Sequence, residues 1–119
     1  MTIDNITDVE NFLSDFFQKK KIWGIRFANE RMKNIDALAA LEITALERER
    51  IIDNIKPTDY SEGPVKDKMS IESDMWIFGK IVKKQEVYIK ITIGNISKPV
   101  ICISFHPSEK PMVYPFKSE

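Results

Sequence analysis

The sequence has few cysteines, glycines and histidines, and each scarcity excludes a class of protein. Cys102 is the single cysteine, so the chain has no intramolecular disulfide and no zinc site built from several thiolates. The four glycines stand apart, which excludes the glycine-rich loops that bind nucleotide phosphates. With His106 as the single histidine there is no HExxH motif, and no paired-carboxylate spacing appears. We therefore expect neither a metal nor a nucleotide cofactor.

Long apolar runs are missing as well. No stretch reaches the roughly 18 consecutive apolar residues of a membrane span. The first residues lack the basic and apolar regions of a signal peptide. With 119 residues, of which 43% are apolar and 30% charged, the chain is typical of one globular domain. We expect a complete, cytoplasmic, single-domain protein over residues 1–119 that does not contact a membrane.

The formal net charge of zero conceals an uneven distribution. Residues 1–75 carry 11 basic against 15 acidic side chains, a net charge of −4. Residues 76–119 carry 7 lysines against 3 glutamates, a net charge of +4, together with the single histidine. Because a local field attracts a charged partner, the C-terminal part is the better candidate for a surface that faces a polyanion. The alternative is that these lysines keep exposed strands soluble.

Helical periodicity dominates the first half of the chain. Apolar residues recur at spacings of three and four from 8 to 23, which predicts an amphipathic helix. The pattern returns further on, where Thr44 and Glu47 fit a capping box that divides it into helices near 34–41 and 45–55. The segment 25–28 can form a short extended piece. The helical part thus covers about residues 1–56.

Strand patterns replace the helical ones after a loop predicted over about residues 57–74, which is rich in turn formers. Three runs of β-branched and aromatic residues follow, separated by hairpin-length connections. They predict an antiparallel meander over about residues 75–119, with strands near 75–82, 86–94 and 100–106. The fold class is therefore α+β, with N-terminal helices on one face of a C-terminal antiparallel β-sheet.

The alternation in the middle strand assigns the two faces of this sheet. Val87, Ile89 and Ile91 fall on the face that must pack under the helices, which leaves the tyrosine and lysine between them on the open face. A three-residue turn at 83–85 would place Lys80 opposite Tyr88. If the last strand buries its more apolar set, Ile101, Ile103 and Phe105, then His106 joins the open face. The residues predicted to share that face are Trp76, Phe78, Lys80, Tyr88, Lys90 and His106.

This group of side chains suits the cleavage of RNA through its own 2′-hydroxyl. That reaction needs a base for the hydroxyl, a cation for the charge that develops on the phosphate and an acid for the leaving 5′-oxygen. We assign these tasks to Tyr88 with Lys80, to Lys90 and to His106, in that order. The aromatic side chains of Trp76 and Phe78 can stack on unpaired bases. The alternative is an ordinary solvated sheet face.

Two arginines are weaker candidates for RNA contact. Arg26 and Arg31 precede the second predicted helix and can reach RNA phosphates. The alternative is that they are ordinary charges beside a helix.

Five short motifs, in their order and spacing, resemble the MqsR family of bacterial toxins: TDYSEGP at 58–64, WIFGK at 76–80, EVYIKI at 86–91, ISFH at 103–106 and YPF at 114–116. These toxins are small RNA interferases with a RelE-like fold. The resemblance implies a metal-independent mRNA endonuclease that inhibits translation, acts on free or ribosome-bound mRNA and is neutralised by a cognate antitoxin protein.

The family's site transfers only in part. Its strand tyrosine falls on Tyr88, and His106 replaces the basic residue of the last strand. A lysine of the family site would fall on Ser61 and a glutamine on Ile77, so neither is present. Two function classes therefore stay open: the RNA endonuclease, and a non-catalytic module on the same fold that binds RNA, the ribosome or another protein.

Overall fold

The protein is described by a computed structural model that covers residues 5–28, 32–66 and 73–117. Its elements follow the predicted order of helices and then strands, apart from one short strand between the first two helices. The helices are α1 (Ile6–Trp23), α2 (Met32–Leu41) and α3 (Ala45–Asp53). The strands are β1 (Ile25–Phe27), β2 (Tyr60–Val65), β3 (Met75–Val82), β4 (Gln85–Thr92) and β5 (Val100–Pro107), with a 3₁₀ turn at Pro57–Asp59.

The five strands form one mixed sheet in the order β1-β5-β4-β3-β2. The meander of β3, β4 and β5 is antiparallel and lies in sequence order, so this prediction is confirmed. The short segment after α1 becomes β1, which pairs parallel to β5 at one edge. The fold is α+β, with helices on one face of a mostly antiparallel sheet.

Local side-chain and backbone contacts set the ends of the helices. Asn5 caps α1, and α1 ends where Gly24 adopts a φ of 82°, a conformation that glycine reaches without steric cost. At α3 the backbone N–H of Glu47 donates to the Thr44 hydroxyl at 3.1 Å, and the N–H of Thr44 donates to the Glu47 carboxylate at 3.0 Å. The predicted capping box is confirmed.

The main core lies between the helices and the sheet. Val87, Ile89 and Ile91 of β4 are fully buried in it, as predicted. The helices contribute Val9, Phe12, Leu13, Phe16, Ala37, Leu41 and Ile52 to the same cluster. The face of the sheet away from the helices is called the open face below.

The predicted loop over 57–74 is wrong for Tyr60–Val65. This segment forms β2, which pairs antiparallel to β3 at the second edge of the sheet, with two register shifts. Gly63 and Pro64 lower its strand propensity, so the local sequence reads as a turn. The Tyr60 side chain, fully buried in the main core, shows that tertiary packing holds the segment in place.

The predicted register between β3 and β4 is wrong by one residue. The turn has two residues, Lys83 and Lys84, both with positive φ (48° and 70°), the arrangement that joins twisted strands most directly. Lys80 consequently lies opposite Val87, and Gly79 lies opposite Tyr88. Because a shift of one residue reverses the face of every side chain, the even-numbered residues of β3 point toward the helices.

Strand β5 changes face at a bulge. Before the bulge, Tyr88 pairs with His106 and Lys90 pairs with Ser104. Beyond the bulge, Ile91 pairs with Cys102. The extra residue at the bulge lets β5 present both of its apolar sets. Val100, Cys102 and Phe105 lie in the main core, whereas Ile101 and Ile103 cluster with Met75 on the open face. The prediction that Ile101, Ile103 and Phe105 are buried together is therefore wrong.

Candidate active site

Tyr88 and His106 form the centre of the open face. They lie directly opposite each other on β4 and β5, and their rings stack with centroids 5.3 Å apart and planes 11° from parallel. The pairing places both side chains on one face of the sheet, as the sequence predicts. Both side chains are half-buried, so each is held in place and still reaches the solvent-filled space above the sheet.

The backbone selects one tautomer of His106. The ring Nδ1 lies 2.9 Å from the carbonyl oxygen of Pro107. A carbonyl oxygen can only accept, so Nδ1 carries a hydrogen and donates to it. In the neutral ring Nε2 then has the lone pair, and in the protonated ring Nε2 carries a second, transferable proton. This is the arrangement that an acid or base catalyst needs.

Lys90 is the predicted lysine that the structure places beside this pair. It follows Tyr88 on the same face of β4, and its Nζ lies 6.0 Å from the centroid of the Tyr88 ring. That distance is at the outer limit of a cation–π contact. A positive charge thus lies next to the stacked rings.

Lys80, in contrast, is on the opposite face of the sheet. Its Nζ lies 2.9 Å from Oδ2 of Asp59, which is only 7% exposed, and Lys117 lies 3.6 Å from the other carboxylate oxygen. The one-residue shift in the β3–β4 register is the cause. The predicted placement of Lys80 beside Tyr88 is therefore wrong.

The same shift removes the two predicted stacking residues from the open face. Trp76 stacks on Phe12 of α1, with ring centroids 4.6 Å apart and planes 13° from parallel. Phe78 is fully buried in the main core. Both pack under the helices, so their predicted place beside Tyr88 and His106 is wrong.

Arg26 is an exposed residue of β1 and lies on the open face, since its neighbours Ile25 and Phe27 pack toward the main core. It pairs with Ile101, level with Thr92. Tyr88 lies four residues from Thr92 along β4, which is roughly 13 Å at the usual rise, and two strands across the sheet from Arg26. Arg31 lies outside the described residues.

A cleft of about 510 Å³ opens above Tyr88 and His106. Its volume is in the range of pockets that hold small ligands. Ser61 and Glu62 of β2 form one wall, Ile77 lies on its floor, and residues 108–113 form the other wall. The sequence prediction missed these walls, because β2 reads as a loop and residues 108–113 lack strand or helix periodicity.

The chain after β5, residues 108–117, crosses back over the sheet and is called the C-terminal strap. The hydroxyl of Tyr114 donates to Oε2 of Glu86 at 2.6 Å, and the N–H of Met112 donates to Oε1 at 3.0 Å. Burial, together with this bond to the carboxylate, raises the pKa of Tyr114. Gly79 has no side chain where the Tyr114 ring rests, since a Cβ there would lie 2.2 Å from the hydroxyl oxygen. Glu86 and Gly79 thus hold the wall of the cleft in position.

No group of three or more histidine, cysteine, aspartate or glutamate side chains is suitably placed for a metal ion within residues 5–28, 32–66 and 73–117. In the same part of the chain, no helix is long and apolar enough to cross a membrane.

Comparisons with protein-family models, with curated proteins and with solved structures gave no match.

Proposed function

We propose that this protein is a cytoplasmic, metal-independent endoribonuclease of the MqsR-like toxin type, with a RelE-like fold and a cognate antitoxin. The observation that supports the proposal most is the stacked pair of Tyr88 and His106 on the floor of a cleft, with Lys90 beside it. The motif resemblance in the sequence supports the same conclusion independently of the geometry.

His106 is the acid of the proposed reaction. Its Nδ1–H stays bonded to the Pro107 carbonyl, so the proton on Nε2 of the imidazolium is the one that moves. It passes to the 5′-oxygen as the bond from phosphorus to that oxygen breaks. Lys90 offsets the negative charge that develops on the phosphate, and Tyr88 positions the ribose.

The base differs from the one that the sequence predicts. Tyr88 with Lys80 was the predicted base, but the Lys80 ammonium contacts Asp59 on the other face. Glu62 supplies a carboxylate in the wall of the cleft and takes this role. It accepts the proton of the 2′-hydroxyl while the 2′-oxygen bonds to phosphorus, which leaves a 2′,3′-cyclic phosphate and a 5′-hydroxyl end.

The alternative is a non-catalytic module that binds RNA, the ribosome or another protein at the same cleft. The positions of Lys80, Trp76 and Phe78 favour it, because they leave the open face with fewer cations and aromatic rings than predicted. Binding without cleavage would be the sign of this alternative.

The deciding experiment is incubation of the purified protein with single-stranded RNA of mixed sequence in EDTA, followed by identification of the new ends. We expect cyclic phosphate ends from the parent protein. His106→Ala and Glu62→Gln should each slow cleavage by roughly 10²- to 10⁴-fold, the usual contribution of a proton-transfer group. Lys98→Ala, which changes an exposed lysine outside the cleft lining, is the control and should cut normally.

Folding of each variant is checked by circular dichroism. Full activity of folded His106→Ala would refute the catalytic assignment. A parent protein that binds RNA and leaves it intact would favour the non-catalytic module.

A further inference from the structure

A second surface lies on the helix side of the sheet, away from the cleft. Here α1 and the sheet enclose a groove of about 370 Å³. Its apolar lining consists of Phe12, Pro64, Trp76 and Ile93. Trp76 is half-buried and stacks on Phe12, so an aromatic surface remains partly open to solvent at this point.

Two carboxylates stand at the rim of this groove. Asp8 and Asp15 are exposed residues of α1 that line it, with Asn11 between them. They are seven positions apart, which is about two helical turns or roughly 10 Å. They therefore face the same side of the helix.

Among the described residues, no cation pairs with either of these two carboxylates. Lys19, one turn after Asp15, is the expected partner on the helix surface. Its ammonium instead donates to the carbonyl oxygens of Ile93 and Asn95, both at 2.6 Å. In the part of the chain that the structure describes, no lysine or arginine forms an ion pair with Asp8 or Asp15.

We propose that this groove binds a basic amphipathic helix of a partner protein. Two arginines or lysines spaced two turns apart on that helix would pair with Asp8 and Asp15, and apolar side chains between them would cover Trp76 and Phe12. The charge of the rim selects a basic partner and repels nucleic acid. The groove and the cleft lie on opposite faces of the sheet, so both can be occupied at once. This proposal does not depend on the activity of the cleft.

The test uses the full chain and a synthetic amphipathic peptide with arginines two helical turns apart and leucines between them. The Trp23→Phe variant leaves Trp76 as the single tryptophan, because the sequence has two. Its fluorescence should change as the peptide is added and the groove is covered. A matching peptide with glutamate in place of arginine should not bind.

The double variant Asp8→Asn/Asp15→Asn should weaken peptide binding by about 3- to 10-fold, as expected for the loss of two partly exposed ion pairs. Glu10→Gln is the matched control, since Glu10 is an exposed acid of α1 that does not line the groove. It should bind like the parent.

Amide chemical shifts locate the peptide without relying on Trp76. Shifts confined to α1 and the neighbouring strand ends support the proposal. No binding, equal binding of the glutamate peptide, or an equal loss in Glu10→Gln would overturn it. Shifts centred on Tyr88 and His106 would also overturn it, as would displacement of the peptide by RNA.

Discussion

Substitution of Lys80 distinguishes a structural role from a catalytic one. The sequence predicts that this lysine assists Tyr88, whereas the structure pairs it with Asp59 below the sheet. The Lys80 side chain is 22% exposed and that of Asp59 is 7% exposed, so the ion pair is largely removed from water. Lys80→Ala should therefore weaken folding and leave the chemistry of the cleft intact.

The expected size of this effect follows from what remains around Asp59. Breaking a buried ion pair typically costs about 3–5 kcal/mol, because the other charge is left without compensation. Asp59 keeps a hydrogen bond from the N–H of Lys56 at 2.8 Å and the ammonium of Lys117 at 3.6 Å. These contacts reduce the loss, and we expect the free energy of unfolding to fall by about 2–3 kcal/mol.

Urea unfolding, monitored by circular dichroism, measures this loss. RNA cleavage is assayed without urea, where the variant remains folded. Lys90→Ala is the matched variant on the open face and should show the reverse result, with near-normal stability and impaired cleavage. Lys84→Ala, in the exposed turn, should change stability by no more than about 0.5 kcal/mol. Parent-like stability of Lys80→Ala combined with lost cleavage would refute this reasoning and restore Lys80 to the site.

The remaining predictions concern the strap and the core. Gly79→Ala should displace Tyr114 and break its bond to Glu86, which lowers the free energy of unfolding by about 1–3 kcal/mol. Parent-like stability of Gly79→Ala with an unchanged cleft would contradict this packing. Because the pKa of Tyr114 is raised on folding, its contribution to stability is complete below the unfolded pKa of about 10 and is lost as the pH rises further. In an absorbance titration, Tyr114→Phe should remove a phenol that ionises above the usual tyrosine range, and loss of a step within that range would contradict this. Burial raises the pKa of Cys102 to about 12, so its thiol should react with a disulfide reagent only as fast as the protein opens. Rapid reaction in the native protein would show that this strand is not buried.

Several features of the protein follow from local sequence alone. The spacing of apolar residues specifies α1, and the reciprocal bonds of Thr44 and Glu47 separate α2 from α3, because both signals act within a few residues. The alternation along β4 assigns Val87, Ile89 and Ile91 to the core for the same reason. Tyr88 and Lys90 reach the open face as a consequence.

The tertiary structure decided which other residues join them. A two-residue turn in place of a three-residue turn moved Lys80 to the far face, and a bulge in β5 kept His106 opposite Tyr88 while Cys102 entered the core. Turn length and bulge position depend on how strands twist and pack against the helices, so neither is encoded in the alternation of a single strand. The walls of the cleft come from β2 and the strap, which are held by contacts to residues distant in sequence, such as Tyr114 with Glu86. A pattern along the chain does not contain such contacts. The position of Glu62 in the cleft could therefore not be predicted from the sequence.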